Sequence, residues 1–223
     1  MRQLRRTATA LTAAVAALTM ASLTGCAAPA YTYAADTSDH AYFKVPSGWH
    51  EVSPQLVSDA QQSMSKTAAG SLGGKLIWSR AYTAATDLSA SSLLVDSPAP
   101  VVYASVQVLR DSLRAQLSYN QMRDLLLAVT PQARQQAAAA GTKLPPYKLL
   151  GSVTIATSGG IRGIAEQYVY DIGGLPDEFL QTVLTNSATT KVYLLLVQCL
   201  TTCFSAHAAQ IEAVAQSFTV RGS

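Results

Sequence analysis

Apolar residues alternate or run together in short β-like stretches over much of the chain and recur at helical spacing in only a few places. Tyr42-Phe43-Lys44-Val45 reads as a strand and Pro46-Ser47-Gly48-Trp49 as a turn that sends a tryptophan back into the core. Pro54 to Ala69 predicts a helix, with Ser53 as cap, Pro54 at the first helical position and glycines closing it. Lys75 to Thr83 and Val101 to Leu109 predict strands, the second placing Val102, Ala104, Val106 and Val108 on one face. Tyr119, Met122, Leu125, Leu126 and Val129 repeat at helical spacing, so Ser118 to Val129 predicts a helix with one face on a sheet. Thr130-Pro131 opens a further helix to Ala140 that has little apolar face and is expected to be exposed.

The last third holds four β-like runs, Lys148 to Thr157, Ile161 to Ile172, Glu178 to Thr185 and Lys191 to Leu200, which read as an antiparallel meander. Ser158-Gly159-Gly160 supplies the positive φ that tight hairpins need. Val192 to Val197 is apolar at every position, the signature of a central strand covered on both faces. Ser205 is the expected cap of a closing helix with Ile211, Val214, Ala215 and Phe218 inward. The fold class that follows is α+β, an antiparallel β-sheet with helices packed on both faces.

The N-terminus has a different character. Met1 to Arg6 carries three arginines and no acid, and Thr7 to Leu23 has no charge. This is the n-region and h-region of an export leader, too short and alanine-rich to be the roughly 20 strongly apolar residues that span a bilayer. Leu23-Thr24-Gly25-Cys26 resembles the lipobox of bacterial lipoproteins at every position. The resemblance implies that residues 1–25 are removed, that the Cys26 thiol carries diacylglycerol with a further acyl chain such as palmitate, and that the protein sits lipid-anchored on the extracytoplasmic side of the cell membrane. Each buried acyl CH₂ adds roughly 0.8 kcal/mol to such an anchor. The alternative is a plain secretory leader cut near Ala27 or Ala30. Arg5-Arg6 raises twin-arginine export, but the residues around the pair lack the usual serine and phenylalanine, which favours the general secretory route.

Losing the leader lowers the basic residues from 16 to 13, equal to the 13 acids. A neutral mature chain without a basic stripe gives no support for a nucleic-acid partner. Ala27 to Asp39 lacks periodicity and is expected to be a tether, reaching at most ~45 Å when extended. One domain over residues 40–221 then follows from the length that remains.

Cys199 and Cys203 bracket Leu200-Thr201-Thr202. An oxidising compartment favours a disulfide between them. Helical positions four apart hold their Cβ atoms ~5–6 Å apart, whereas a disulfide wants ~3.5–4.5 Å, so a bridge here predicts a corner between a strand ending at Cys199 and a helix beginning after Cys203. Two buried thiols are the alternative. His40, His50 and His207 form no ligand-spaced cluster with the cysteines, so no metal and no cofactor is expected.

Phe43 to Trp49, Gly163 to Tyr170, Val192 to Cys199 and the ending Ile211 to Val220 together resemble the PsbP-like superfamily, and in particular the LpqN-type lipoproteins of actinobacteria. The resemblance implies an αβα sandwich and a non-catalytic binding or assembly role, as in photosystem subunits and a nuclear-import Ran partner. It transfers no partner and no catalytic residue. Ala84 to Pro100 is longer and less regular than the resemblance implies.

Other chemistry is sparse. Ser63-Met64-Ser65-Lys66 fits S-x-x-K without its companion motifs. Ala69 to Gly73 approaches a nucleophile elbow around Ser71, and Gly70 to Lys75 a phosphate loop, but each lacks a required residue. Adjacent Asp177 and Glu178 point to opposite faces of a strand, Glu166 and Arg162 suit a surface ion pair, and His207 reads as a solvated or capping residue. No enzyme is expected. Two readings remain: a membrane-tethered binding or assembly module for an envelope protein partner, or a carrier or sensor of a small apolar ligand or lipid, with Tyr103, Tyr168, Tyr170 and Tyr193 lining a cleft.

Overall fold

A computed structural model describes residues 30–67 and 74–221, the side chains of 63–67 excepted. Its centre is a seven-stranded antiparallel sheet of order β3-β4-β5-β9-β8-β7-β6. The strands are β3 (His50–Glu51), β4 (Lys75–Thr83), β5 (Val101–Val108), β6 (Tyr147–Ala156), β7 (Arg162–Ile172), β8 (Leu175–Thr185) and β9 (Lys191–Leu200). A smaller sheet, β1 (Tyr31–Asp36), β2 (Ala41–Pro46) and β10 (Thr219–Val220), has the order β1-β2-β10. The five helices of the described residues are α1 (Pro54–Thr67), α2 (Asp111–Arg114), α3 (Tyr119–Arg123), α4 (Pro131–Ala139) and α5 (Thr201–Gln216).

Alternation along β9 divides the core in two. Val192, Leu194 and Leu196 join Val101 and Tyr103 of β5 beneath α1, α3 and the 84–100 segment. Leu195, Val197 and Cys199 join Val102 and Ala104 under α5 and the small sheet, against Phe43, Phe204 and Ile211. The central, doubly covered strand expected from Val192 to Val197 is thus β9, and the meander β9-β8-β7-β6 is present. The covering of the second face differs from expectation in that α5 shares it with a β-sheet, because α5 lies over β9 and β8 and leaves β4 and β5 to the small sheet.

The expected tether, Ala27 to Asp39, is in part a strand. Tyr31–Asp36 forms β1 and pairs with β2 from Tyr31↔Pro46 to Asp36↔Ala41, and Ala34 is buried. The domain therefore starts near Tyr31 rather than residue 40, and the expected tether keeps only residues 27–30, of which 27–29 lie outside the described residues. The signal is a weak one: the buried positions are an alanine and an aspartate, Ala34 and Asp36, which gives little apolar periodicity to read.

The helix expected over Ser118 to Val129 ends at Arg123. Ser118 and Gln121 form a capping box at its start, but the Asp124 carboxylate then accepts from Val129 N, Thr130 N and the Thr130 hydroxyl, at 2.9, 2.8 and 2.5 Å. Those bonds fold the chain back and open α4, in which Thr130 caps Ala133 N and no residue is buried. Met122, Leu125 and Val129 still reach the core. The closing helix begins at Thr201, four residues before the expected cap; Ser205 instead donates to the Thr201 carbonyl within the helix.

The hairpin turns use positive φ at Gly160 and at the pair Gly173-Gly174, the second pair joining Ile172↔Leu175 in a two-residue loop. Gly163 has a different role. A Cβ there would lie 2.0 Å from the Val183 carbonyl oxygen and 2.8 Å from Leu184 Cα, both backbone atoms of the neighbouring strand. Gly163→Ala must push β7 and β8 apart, and we expect it to lower unfolding free energy by about 3 kcal/mol, the upper end of typical overpacking costs, read as a fall in the urea midpoint.

Candidate functional site

Cover on the two faces is unequal beyond β8. On the second face α5 lies over β9 and β8, leaving the outer part of the sheet open. Register places Ile155 beside Gly163 and Leu184, and Val153 beside Ala165 and Thr182, all on this face. Ile155, Ala165, Leu180 and Leu184 form the floor of a half-open groove of about 450 Å³, with Ala215 and Phe218 as its wall and Glu212 and Gln216 at its rim. The arrangement, a floor that is apolar apart from Thr182, with further polar groups at the margin, is suited to binding through desolvation.

The first face is closed by a buried polar network. Glu166 on β7 is almost fully buried and pairs with Arg123 on α3, Nε to Oε1 2.7 Å. Ser152 on β6 donates to the same carboxylate oxygen at 3.3 Å and accepts from Arg123 Nη2. Gln181 on β8 donates to the carbonyls of Met122 and Arg123 and accepts from the Tyr168 hydroxyl. Burial raises the Glu166 carboxyl above its ordinary pKa, against the lowering pull of Arg123. These bonds satisfy the C-terminal carbonyls of a helix only five residues long and fix it to the sheet. The expected surface pair of Glu166 and Arg162 is absent; strand alternation points the two the same way, but Arg162 turns to Thr189 Oγ1 while Glu166 takes the cation beneath it.

A second buried acid lies where the irregular 84–100 segment crosses the ends of β8 and β9. Asp177 Oδ2 accepts from Asp96 N at 2.8 Å, and Asp96 holds a left-handed φ of 58°. One oxygen of each carboxyl is buried without a hydrogen-bond partner among the described residues, so the two acids face one another. Burial, followed by the Asp96 charge, pushes Asp177 up to about 7 in spite of the Asp96 N–H. Gln198 Nε2 to Ser92 O, Leu200 N to Ser97 O and the burial of Leu93 complete the attachment. The segment that looked irregular is a fixed part of the first face. Glu178 points the other way, as expected, and accepts from Gln167 at 2.6 Å.

A small polar pocket of about 160 Å³ lies at the opposite end, between Asp39, His40, Asn186, Lys191, Tyr193 and Arg221. Lys191 Nζ is paired with Asp39, and burial together with Asp39 and Asp36 pushes the Tyr193 hydroxyl up to about 12.

The tyrosines expected to line a cleft do not do so together. Tyr103, Tyr168 and Tyr170 are buried in the first-face core, where their hydroxyls are taken by Gln61, Gln181 and Arg134. Tyr193 lies on the other face. The groove that does exist was missed because it depends on which strands α5 fails to cover. Cys199 and Cys203 form a disulfide, Cα–Cα 6.0 Å, across the corner between β9 and the first turn of α5; the bond therefore joins strand end to helix start. His207 is half-buried within α5. Cys26, the side chains of Ser63 and Lys66, and Ala69 to Gly73 lie outside the described residues. Among the described residues no group of three or more His, Cys, Asp or Glu is placed to hold a metal.

Comparison with protein-family models and with curated protein sequences finds no match. Solved structures do match. The solution structure of cyanobacterial PsbP (CyanoP) from Synechocystis aligns over 90% of this chain and 98% of its own, at 14% identity and a TM-score of 0.52. The fold is PsbP-like. The Saccharomyces cerevisiae Ran-binding protein Mog1p (8% identity, 85% of this chain and 95% of that one, TM-score 0.42) and LpqN of Mycobacterium tuberculosis, described as involved in cell envelope biogenesis (14%, 81% and 83%, 0.42), superpose more loosely. In this PsbP-like domain the α+β architecture expected from the strand pattern is present.

The raised Asp177 gives a signed pH dependence. Its ordinary value is about 3.9, so between that pH and about 7 the folded state holds more protons than the unfolded one, and stability falls as pH rises. Asp177→Asn keeps an acceptor for Asp96 N and removes the titration. Calorimetry should find the variant's Tm equal to that of the parent near pH 4 and higher by a few degrees at pH 8.

Proposed function

We propose that this chain is a lipoprotein anchored through Cys26 on the extracytoplasmic side of the cell membrane, where its PsbP-like domain acts as a non-catalytic binding or assembly module for another envelope protein. Two things support the anchor: the lipobox Leu23-Thr24-Gly25-Cys26 behind an uncharged run, and the disulfide of an oxidising compartment. Among the described residues no helix is long and apolar enough to cross a membrane, so attachment in this reading comes from acyl chains.

The observation that carries the binding role is the groove beside α5. Its floor of Ile155, Ala165, Leu180 and Leu184 is held rigidly by three paired strands, and its rim is polar, which is the anatomy of a protein contact with an apolar centre. The occupant is a cluster of apolar side chains on the partner. Tethering concentrates such a contact at the membrane and raises its effective strength without new contacts.

The groove volume also falls within the range of small-molecule sites, ~300–1,000 Å³, which favours the carrier of an apolar ligand or lipid as a second reading. Its lining comes from β6, β7, β8 and α5, so it owes nothing to the tyrosines first considered.

Cys26→Ala should abolish incorporation of labelled palmitate and move the protein from the membrane pellet to the soluble fraction; an unchanged distribution would refute the anchor. A photo-crosslinking amino acid at Ala165 should capture one envelope protein, and Leu180→Arg should abolish the capture while leaving Tm within a few degrees. Lipid that co-purifies with the full chain in native mass spectrometry and is lost in Leu180→Arg would decide for the carrier.

A further inference from the structure

The two edges of the seven-stranded sheet are unlike. One is β3, only two residues long, followed by the Lys75–Arg80 part of β4 that β3 does not pair; this edge carries Lys75 and the Glu51–Arg80 ion pair. Charges of this kind protect an edge against recruiting another strand. The other edge is β6, ten residues long and exposed at eight of them. It pairs with β7 along its full length, and its other side faces no strand of the described residues. Of the seven exposed large hydrophobic residues of the described chain, three lie here: Leu149 at 47%, Leu150 at 43% and Val153 at 64%. From Leu149 to Ala156 the strand has no charge and no proline, so the usual protections of an edge are absent over this stretch apart from one register irregularity between Leu149 and Gly151.

We propose that β6 pairs antiparallel with β6 of a second copy of this chain, about a two-fold axis through Val153, joining the two sheets into one. Sequence self-complementarity selects a second copy. With Val153 opposite its own counterpart, Gly151 faces Ile155 and Ser152 faces Thr154, twice each. Parity puts Gly151, Val153 and Ile155 of both copies on the groove face, where register places them with Gly163, Ala165 and Gln167. Ser152 and Thr154 of both copies lie on the opposite face. Apolar meets apolar, a small residue meets a large one, and hydroxyl meets hydroxyl; no like charges are brought together, because the paired segment has none. The contact is isologous, so it closes at two molecules. It leaves α5 and both grooves on one side of the joined sheet and consumes neither groove, so it stands apart from the partner binding proposed above.

Sedimentation of the full chain in detergent should show a reversible dimer, and Val153→Lys, which sets two ammonium groups opposite each other, should weaken it about tenfold or more with unchanged circular dichroism and Tm. In Val153→Cys a short bismaleimide should link two copies several times more efficiently than in Tyr33→Cys, a control at a more exposed site on β1. A monomer at all concentrations, a dimer indifferent to Val153→Lys, or equal crosslinking of the two cysteine variants would overturn the pairing. So would a monomer whose β6 crosslinks to a different envelope protein, which would assign the edge to that partner. Fractionation of Cys26→Ala reads the anchor separately, and neither result depends on the other.

Discussion

Strand β9 imposes the constraint on which the rest of the molecule depends. From Val192 to Cys199 every residue is buried, so apolar side chains leave both faces of one strand and each face must be covered. Two separate cores result, and no single helix layer can serve both. The first face takes α1, α3 and the 84–100 segment. The second takes α5 and the small sheet. Cys199 and Cys203 sit where the chain leaves this strand and turns directly into α5, so the strand that demands the cover is joined by a covalent bond to the helix that supplies part of it.

Cover runs out toward the meander's far end. Buried positions dominate β9 and β8, alternate along β7 and almost vanish on β6. The groove and the exposed edge are two consequences of this gradient: one is the floor that α5 does not reach, the other the last strand without a neighbour. Both are places where apolar area stays in water in the isolated chain, and apolar area left in water is a source of binding free energy at about 25 cal/mol per Å².

Polar groups in the core serve attachment. Glu166 on β7 and Gln181 and Asp177 on β8 lie on the first face and are directed at backbone or charge of the elements laid over it: α3 for the first two, the Asp96 turn for the third. Beyond their apolar contacts, these elements are secured by a few directional bonds whose rupture would leave buried groups unpaired. The Asp96–Asp177 contact loses strength as pH rises toward and past about 7, so the 84–100 attachment is held more firmly in acid than in base.

Periodicity in the sequence determined β4 to β9, their meander, the central place of β9 and the exposed character of α4, because each is a local pattern of burial along one element. The corner at Cys199 and Cys203 was legible too, from spacing and compartment, although α5 starts four residues earlier than its serine suggested. The rest was decided by contacts between residues far apart. β1 forms because β2 offers it a partner, α3 stops because Asp124 takes the N–H groups of Val129 and Thr130 just before the next helix, and Glu166 is buried because Arg123 lies beneath it. The groove belongs wholly to this second class: Ile155, Ala165, Leu180 and Phe218 are ordinary residues of three strands and a helix end, and only the distance that α5 extends across the sheet leaves them open together.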